Sequence, residues 1–129
     1  MEVGISLEWT WYAPDYKNNR ELPEEERLMI EIMPLDHKTR IKWGKKVKTF
    51  LPGGMRPDRK YAEETNAVEV SRDMFINHTR NVKNCTVGEN EVKNGMDLID
   101  MLGVDGDLIT DITNAINRRS VLEEGMVKN

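Results

Sequence analysis

The residues best placed to do chemistry are the acids near the C-terminal end. In "GVDGDLITDITNAINRRSVLEEGMVKN" (103–129), Asp105, Asp107 and Asp111 fall within seven residues. Several oxygens converging on one point would hold a cation. An EF-hand loop does this with ligands at its first, third and fifth positions, glycine at the sixth and glutamate at the twelfth. Here Gly106 sits directly between Asp105 and Asp107, Leu108 and Ile109 occupy slots where ligands belong, and no glutamate stands at the required distance. The acids read instead as the front of a helix, where carboxylates favour the positive end of the dipole. His37 and His78 with the one cysteine, Cys85, do not make a zinc quartet. The seven-residue spacing of His78 and Cys85 gives no reason to expect a nucleophile pair, and a small buried thiol is the better reading. No GxSxG, Walker loop, GxGxxG or HExxH occurs, and Gly53-Gly54 lacks a following lysine-serine. Catalytic, metal and cofactor residues are therefore none, and the chain reads as non-enzymatic.

What remains is binding. The net charge of −4 argues against a generally basic nucleic-acid binder. Charge is nonetheless segregated: residues 1–35 sum to −5, 36–60 to +7, 61–86 to −1 and 87–129 to −5. Between His37 and Lys60 there are nine Lys or Arg and one acid. This block reads as a solvated helix face and loop, or as a surface for an acidic protein, including another copy's C-terminal third, or for nucleic acid; whole-chain acidity favours protein. Trp9 and Trp11 raise the idea of a base-stacking platform, which needs basic neighbours. The local charges are Glu2 and Glu8, so core packing is preferred. The eight methionines are core filler or an adaptable contact surface.

These residues must be held by a modest core, since 38% of the 129 residues are hydrophobic and 33% charged. One domain is expected over 1–129. The fold class expected is α+β: a small antiparallel sheet from N-terminal strands, packed with three to four helices, the C-terminal part helical. Ile5, Leu7, Trp9 and Trp11 alternate as one strand face, and Leu28, Ile30 and Ile32 as that of a second, more central strand. Together they make a strand region, 1–35, with a long exposed and mobile loop at 13–27 between them. Asp36 reads as the cap of a helix over about 37–50, although Thr39, Ile41 and Trp43 also alternate and Gly44 costs a helix about 1 kcal/mol against alanine. With the break at "LPGGMRPDRK" (51–60) this forms a basic segment, 36–60. In the helical part, 66–119, Val68 and Val70 mark a short strand. Ser71 caps a helix carrying Met74, Phe75, His78 and Val82, "NCTVGENEVKNG" makes a tight turn or hairpin, and a helix with Met96, Leu98, Ile99 and Leu102 stops at Gly103. The last helix starts near Asp105–Asp107 with Leu108, Ile109, Ile112, Ala115 and Ile116 on one stripe. Ser120 caps a final turn or begins a tail, 120–129.

The segment "IEIMPLDHKTRIKW" resembles the strand-Pro-Leu-cap-helix opening of small assembly proteins from bacteriophage tail-gene clusters. The second half is similar to their usual pattern: "V-x-N" at Val82 and Asn84, "x-x-G-x-x-L" at Gly95 to Leu98, "L-I-x-x-I-x-x-A-I" at Leu108 to Ile116, "S-x-L-x-E" at Ser120 to Glu124, and a closing Lys128-Asn129. The resemblance covers about residues 28–35 and 74–129, and the tryptophan strand and the Pro-Gly loop do not match. It implies a phage tail assembly chaperone or close relative, which binds tape-measure or tail-tube protein in the host cytoplasm and keeps apolar helical segments soluble. No catalytic residue or cofactor is implied. The contact residues expected are Leu122, Met126 and Val127 in the tail and Lys45, Lys46 and Lys48 in the basic segment. The competing readings are a structural subunit retained in a virion or other assembly, and a nucleic-acid accessory protein using 37–60. Self-association is compatible with either protein reading. The N-terminus has no basic region followed by an apolar run, and no stretch approaches the roughly 18–20 apolar residues of a membrane span, so a cytoplasmic location is expected.

Overall fold

The chain's computed structural model describes the backbone of residues 8–49 and 59–128, and the side chains of 8–45 and 67–120. Three strands, β1 (Thr10–Tyr12), β2 (Met29–Ile32) and β3 (Thr79–Lys83), form an antiparallel sheet in the order β1-β2-β3. The central place of β2 fits its sequence, which is partly apolar on both faces: Ile30 and Ile32 on one, Met29 beside Glu31 on the other. Around the sheet lie α1 (His37–Thr49), α2 (Arg59–Asn77), α3 (Gly95–Leu102) and α4 (Asp107–Lys128). A small hairpin of β4 (Thr86–Val87) and β5 (Asn90–Glu91) stands between β3 and α3. The architecture is α+β, as the alternating N-terminal strands and the helical stripes require.

One cluster joins the inner sheet face to the helices: Tyr12, Ile30 and Ile32 meet Phe75 from α2, Leu98 and Ile99 from α3, and Ile109, Ile112 and Ile116 from α4. The whole stripe expected for the last helix, Leu108, Ile109, Ile112, Ala115 and Ile116, is buried. Two glycines act through their backbone. Gly88 opens the hairpin at φ 62°, and Gly103 ends α3 at φ 78° while donating its N–H to the Ile99 carbonyl.

Five expectations are corrected. Val68 and Val70 lie inside α2, which runs unbroken from Arg59 to Asn77, so Ser71 is an exposed mid-helix residue and not a cap. Two alternating valines are too short a run to outweigh the alanine and glutamates around them. That helix also stops before His78, and Val82 belongs to β3. The reason is a bulge: Ile30 pairs with Val82 and Ile32 with Thr79, so one residue of β2, Glu31, stands opposite two of β3, Arg80 and Asn81. The extra residue sends Thr79 and Val82, three apart, to the same buried face, which imitates helical spacing.

The third correction concerns β1. Thr10 pairs with Ile32 and Tyr12 with Ile30, so the core side chain of this strand is Tyr12, while Trp11 pairs with Glu31 and is 36% exposed. Fourth, the 13–27 segment is tied down. Asn19 is buried within it and holds it closed, its Nδ2 donating to the Pro14 and Leu28 carbonyls and its Oδ1 accepting from the Leu28 N–H. Residue 120 does not begin a loose tail either, since the backbone of α4 is helical to Lys128.

Candidate functional site

Helix α1 carries the first candidate surface. Asp36 caps it, its Oδ1 accepting the Thr39 N–H at 2.7 Å; hydrogen bonding to the Thr39 side chain, and then this backbone bond, holds the carboxyl below the usual aspartate range. Trp43 anchors the inner face, 7% exposed, its Nε1 donating to His78 Nε2 at 3.4 Å. The ring nitrogen on the other side of His78 lies 3.1 Å from the Met33 carbonyl, so the neutral Nδ1–H tautomer satisfies both bonds. Burial pushes the His78 pKa down. His78 is thus a packed histidine that fastens α1 to the end of β2. With Trp43 turned inward, Lys38, Ile41, Lys42 and Lys45 line a shallow cleft of about 360 Å³ on the other side. Ile41 is 44% exposed between lysines. Among the described residues, Lys45 has no carboxylate partner. Of the contact residues expected, Lys45 is exposed on this face; the side chains of Lys46 and Lys48, and those of Leu122, Met126 and Val127, lie outside the described residues.

A second surface is the outer face of the sheet, which sequence reasoning missed. Arg80 lies over the Trp9 ring at 4.4 Å and Lys83 over the Trp11 ring at 4.1 Å. Between them Glu31 is 7% exposed, accepting from Arg80 Nη2 at 2.8 Å and from Asn81 Nδ2 at 2.7 Å. The Arg80 bond leads in holding Glu31 below the ordinary glutamate range, against the opposing effect of burial. The cations come from a strand some 70 residues further on in the chain, so the local acids near Trp9 gave no signal of them.

A third cluster sits at the edge of the sheet. Tyr12 Oη donates to Asp111 Oδ2 at 2.7 Å and accepts from Arg20 Nη2 at 3.2 Å and Arg118 Nη2 at 3.3 Å. Burial, then the Asp111 bond, pushes the phenol pKa up, away from any role as a base. Asp111 also accepts the Asp15 N–H, and Arg119 donates to Thr10 Oγ1 and to the Trp11 carbonyl. These bonds tie β1 and its loop to α4. Of the three acids in the C-terminal stretch, Asp107 begins α4, Asp111 serves Tyr12, and Asp105 is exposed. Cys85 is buried, which raises its thiol pKa, and among the described residues no group of three His, Cys, Asp or Glu is placed to hold a metal ion.

Comparison with protein-family models, with curated proteins and with solved structures finds no match to this chain. Among the described residues, no helix is long and apolar enough to cross a membrane.

Proposed function

We propose that this protein is a non-enzymatic assembly factor of the phage tail-assembly-chaperone class, binding tape-measure or tail-tube protein in the host cytoplasm. One observation carries the reading. The motif residues that resemble that family come from separate segments, and Val82, Leu98, Leu108, Ile109, Ile112, Ala115 and Ile116 all pack into one core. Those motifs therefore encode one packed unit, and a likeness spread over so many mutually touching positions is a likeness of fold-determining sequence. The contact surfaces assigned are the lysine face of α1 and the end of α4 past Ser120. Binding energy would come from apolar helix faces, with charge choosing the partner.

Co-expression tests it. The tape-measure protein of the same gene cluster should stay soluble with this chain and precipitate without it, and the chain should be absent from purified mature particles. Presence in the particles at fixed stoichiometry would favour the retained structural subunit. A tape-measure protein equally insoluble in both cases would refute the chaperone role.

One observation favours a second reading. The partly exposed Trp11 ring beside Lys83, and Trp9 beside Arg80, have the aromatic and basic components of a single-strand nucleic-acid platform. A fluorescent oligothymidylate separates the readings: nucleic-acid binding weakens steeply with salt and would be lost with Trp11→Ala.

A further inference from the structure

Between α2 and α4 runs an open groove of about 300 Å³. Its walls are Val68 on α2 and Ile109 on α4, with Ile99 and Val104 also lining it and Asp105 beside them. Val68 is 46% exposed, and Asp105 has no ion-pair partner among the described residues. The groove is thus mixed: Val68 is its exposed apolar side chain, Ile99 and Ile109 are buried, Ser71, Thr110, Thr113 and Asn114 add polar lining, and Asp105 stands at its side. The same molecule carries the complementary shape. On α1, Lys38, Ile41, Lys42 and Lys45 follow one another at i, i+3, i+4 and i+7, the spacing by which a helix presents anchors to a groove. Ile41 is the apolar knob, with Lys38 and Lys45 one turn to either side; Lys38 lies near the Asp36 carboxylate, whereas Lys45 has no carboxylate partner among the described residues.

We infer that α1 of one copy docks in the α2–α4 groove of a second copy, Ile41 against Val68 and a flanking lysine against Asp105. The argument is mainly charge complementarity: exposed Ile41 is bracketed by lysines of the +7 block, and exposed Val68 lies beside Asp105 of the acidic C-terminal third, an acid with no ion pair among the described residues. The two surfaces differ, so the contact is heterologous, and repetition produces an open series rather than a closed dimer. Exposed ion pairs contribute about 0–1 kcal/mol each, so the association is weak and is screened by salt. This inference needs no tail-cluster partner, but it uses the same α1 face that the proposed function assigns to a partner, so the two bindings compete; a monomeric chain would refute it and leave the co-expression test untouched.

Analytical ultracentrifugation of the purified full chain tests it. The weight-average mass should climb with concentration without a plateau at the dimer, and should fall when salt is raised. Two variants provide the decisive comparison. Lys38→Glu with Lys45→Glu, and Val68→Lys with Asp105→Lys, change exposed side chains only, and circular dichroism checks that each remains folded. Each variant alone should self-associate at least about tenfold more weakly than the unaltered chain. Mixed together they should associate again as an alternating series, because the glutamate face of the first meets the lysine groove of the second and the unaltered lysine face of the second meets the unaltered groove of the first. A protein that stays monomeric at every concentration, a closed dimer, or a mixture no more associated than its parts would overturn the inference.

Discussion

At Gly95 a β-carbon would overlap the Thr79 side chain, with Thr79 Cβ at 2.7 Å and the Phe75 ring at 3.4 Å. Thr79 has no freedom to withdraw, since it is buried and its Oγ1 donates to the Phe75 carbonyl at 2.7 Å, where α2 ends. The glycine in the "x-x-G-x-x-L" motif is thus required by contact between α3 and the start of β3. Gly95→Ala gains a little helix propensity but forces that contact apart, and we expect a net loss of about 1–3 kcal/mol, as for other overpacked cores, read from urea unfolding. His78 makes a different prediction. Burial depresses its pKa in the folded chain below the ordinary 6.5, against the pull of Asp36 and with the help of Lys42. Below pH 6.5 the unfolded chain therefore binds more protons at this site, so stability falls as pH falls from 6.5 toward the lower folded value, and above 6.5 the site contributes no slope. Protonating Nε2 also removes the acceptor for Trp43. Unfolding free energies measured at pH 7.5 and 5.5 should differ less in His78→Gln than in the unaltered chain; an equal difference would place the titrating group elsewhere.

The elements were legible where periodicity is local. The stripe from Leu108 to Ile116, the stop at Gly103, the capping by Asp36 and the central place of the Ile30–Ile32 strand all follow from spacings of two, three or four residues and from single punctuating residues. What misled was pairing. The parity of Trp9 and Trp11 against Tyr12 is set by which residues of β2 face the core, and the bulge opposite Ile30 and Ile32 gave Thr79 and Val82 the look of a helix. Neither is visible before the strands meet. The same holds for the candidate site. Lys45 was readable as part of a charge run, whereas the Arg80 and Lys83 cations over the tryptophans, and the use of Asp111 by Tyr12, depend on contacts across most of the chain. Ser120 is the sharpest case. It is fully buried, donating to the Ile116 carbonyl at 2.9 Å and accepting the Leu35 N–H at 2.7 Å, so α4 holds the link from β2 into α1. Ser120→Ala leaves the Leu35 N–H without that partner in the interior. We expect a cost of about 1–3 kcal/mol, visible as a lowered thermal midpoint, and Ser120→Thr, which keeps the hydroxyl, should lose its hydrogen bonding less than alanine does.

Across the whole molecule, Ser120 marks where the described core contacts of α4 end. Up to that residue α4 belongs to the core, through Leu108, Ile109, Ile112, Ala115 and Ile116 and through the arginines that close over Tyr12 and Thr10. Beyond it the helix continues to Lys128 with Val121, Leu122, Met126 and Val127 among its residues, more apolar positions than a solvated helical end needs. A chain ending at Ser120 keeps every core side chain described above, together with the hydroxyl that holds Leu35. A cut before Ser120 would damage the fold and confuse a loss of binding with a loss of structure. The chain of residues 1–120 is expected to melt cooperatively within a few degrees of the full chain, a shift of about 1 kcal/mol or less; under the chaperone proposal it should also fail to keep co-expressed tape-measure protein soluble where the full chain succeeds. Cooperative melting combined with unimpaired solubilisation would remove 121–129 from the contact surface and leave α1 to carry it. A broad or strongly lowered transition would assign those residues to the core.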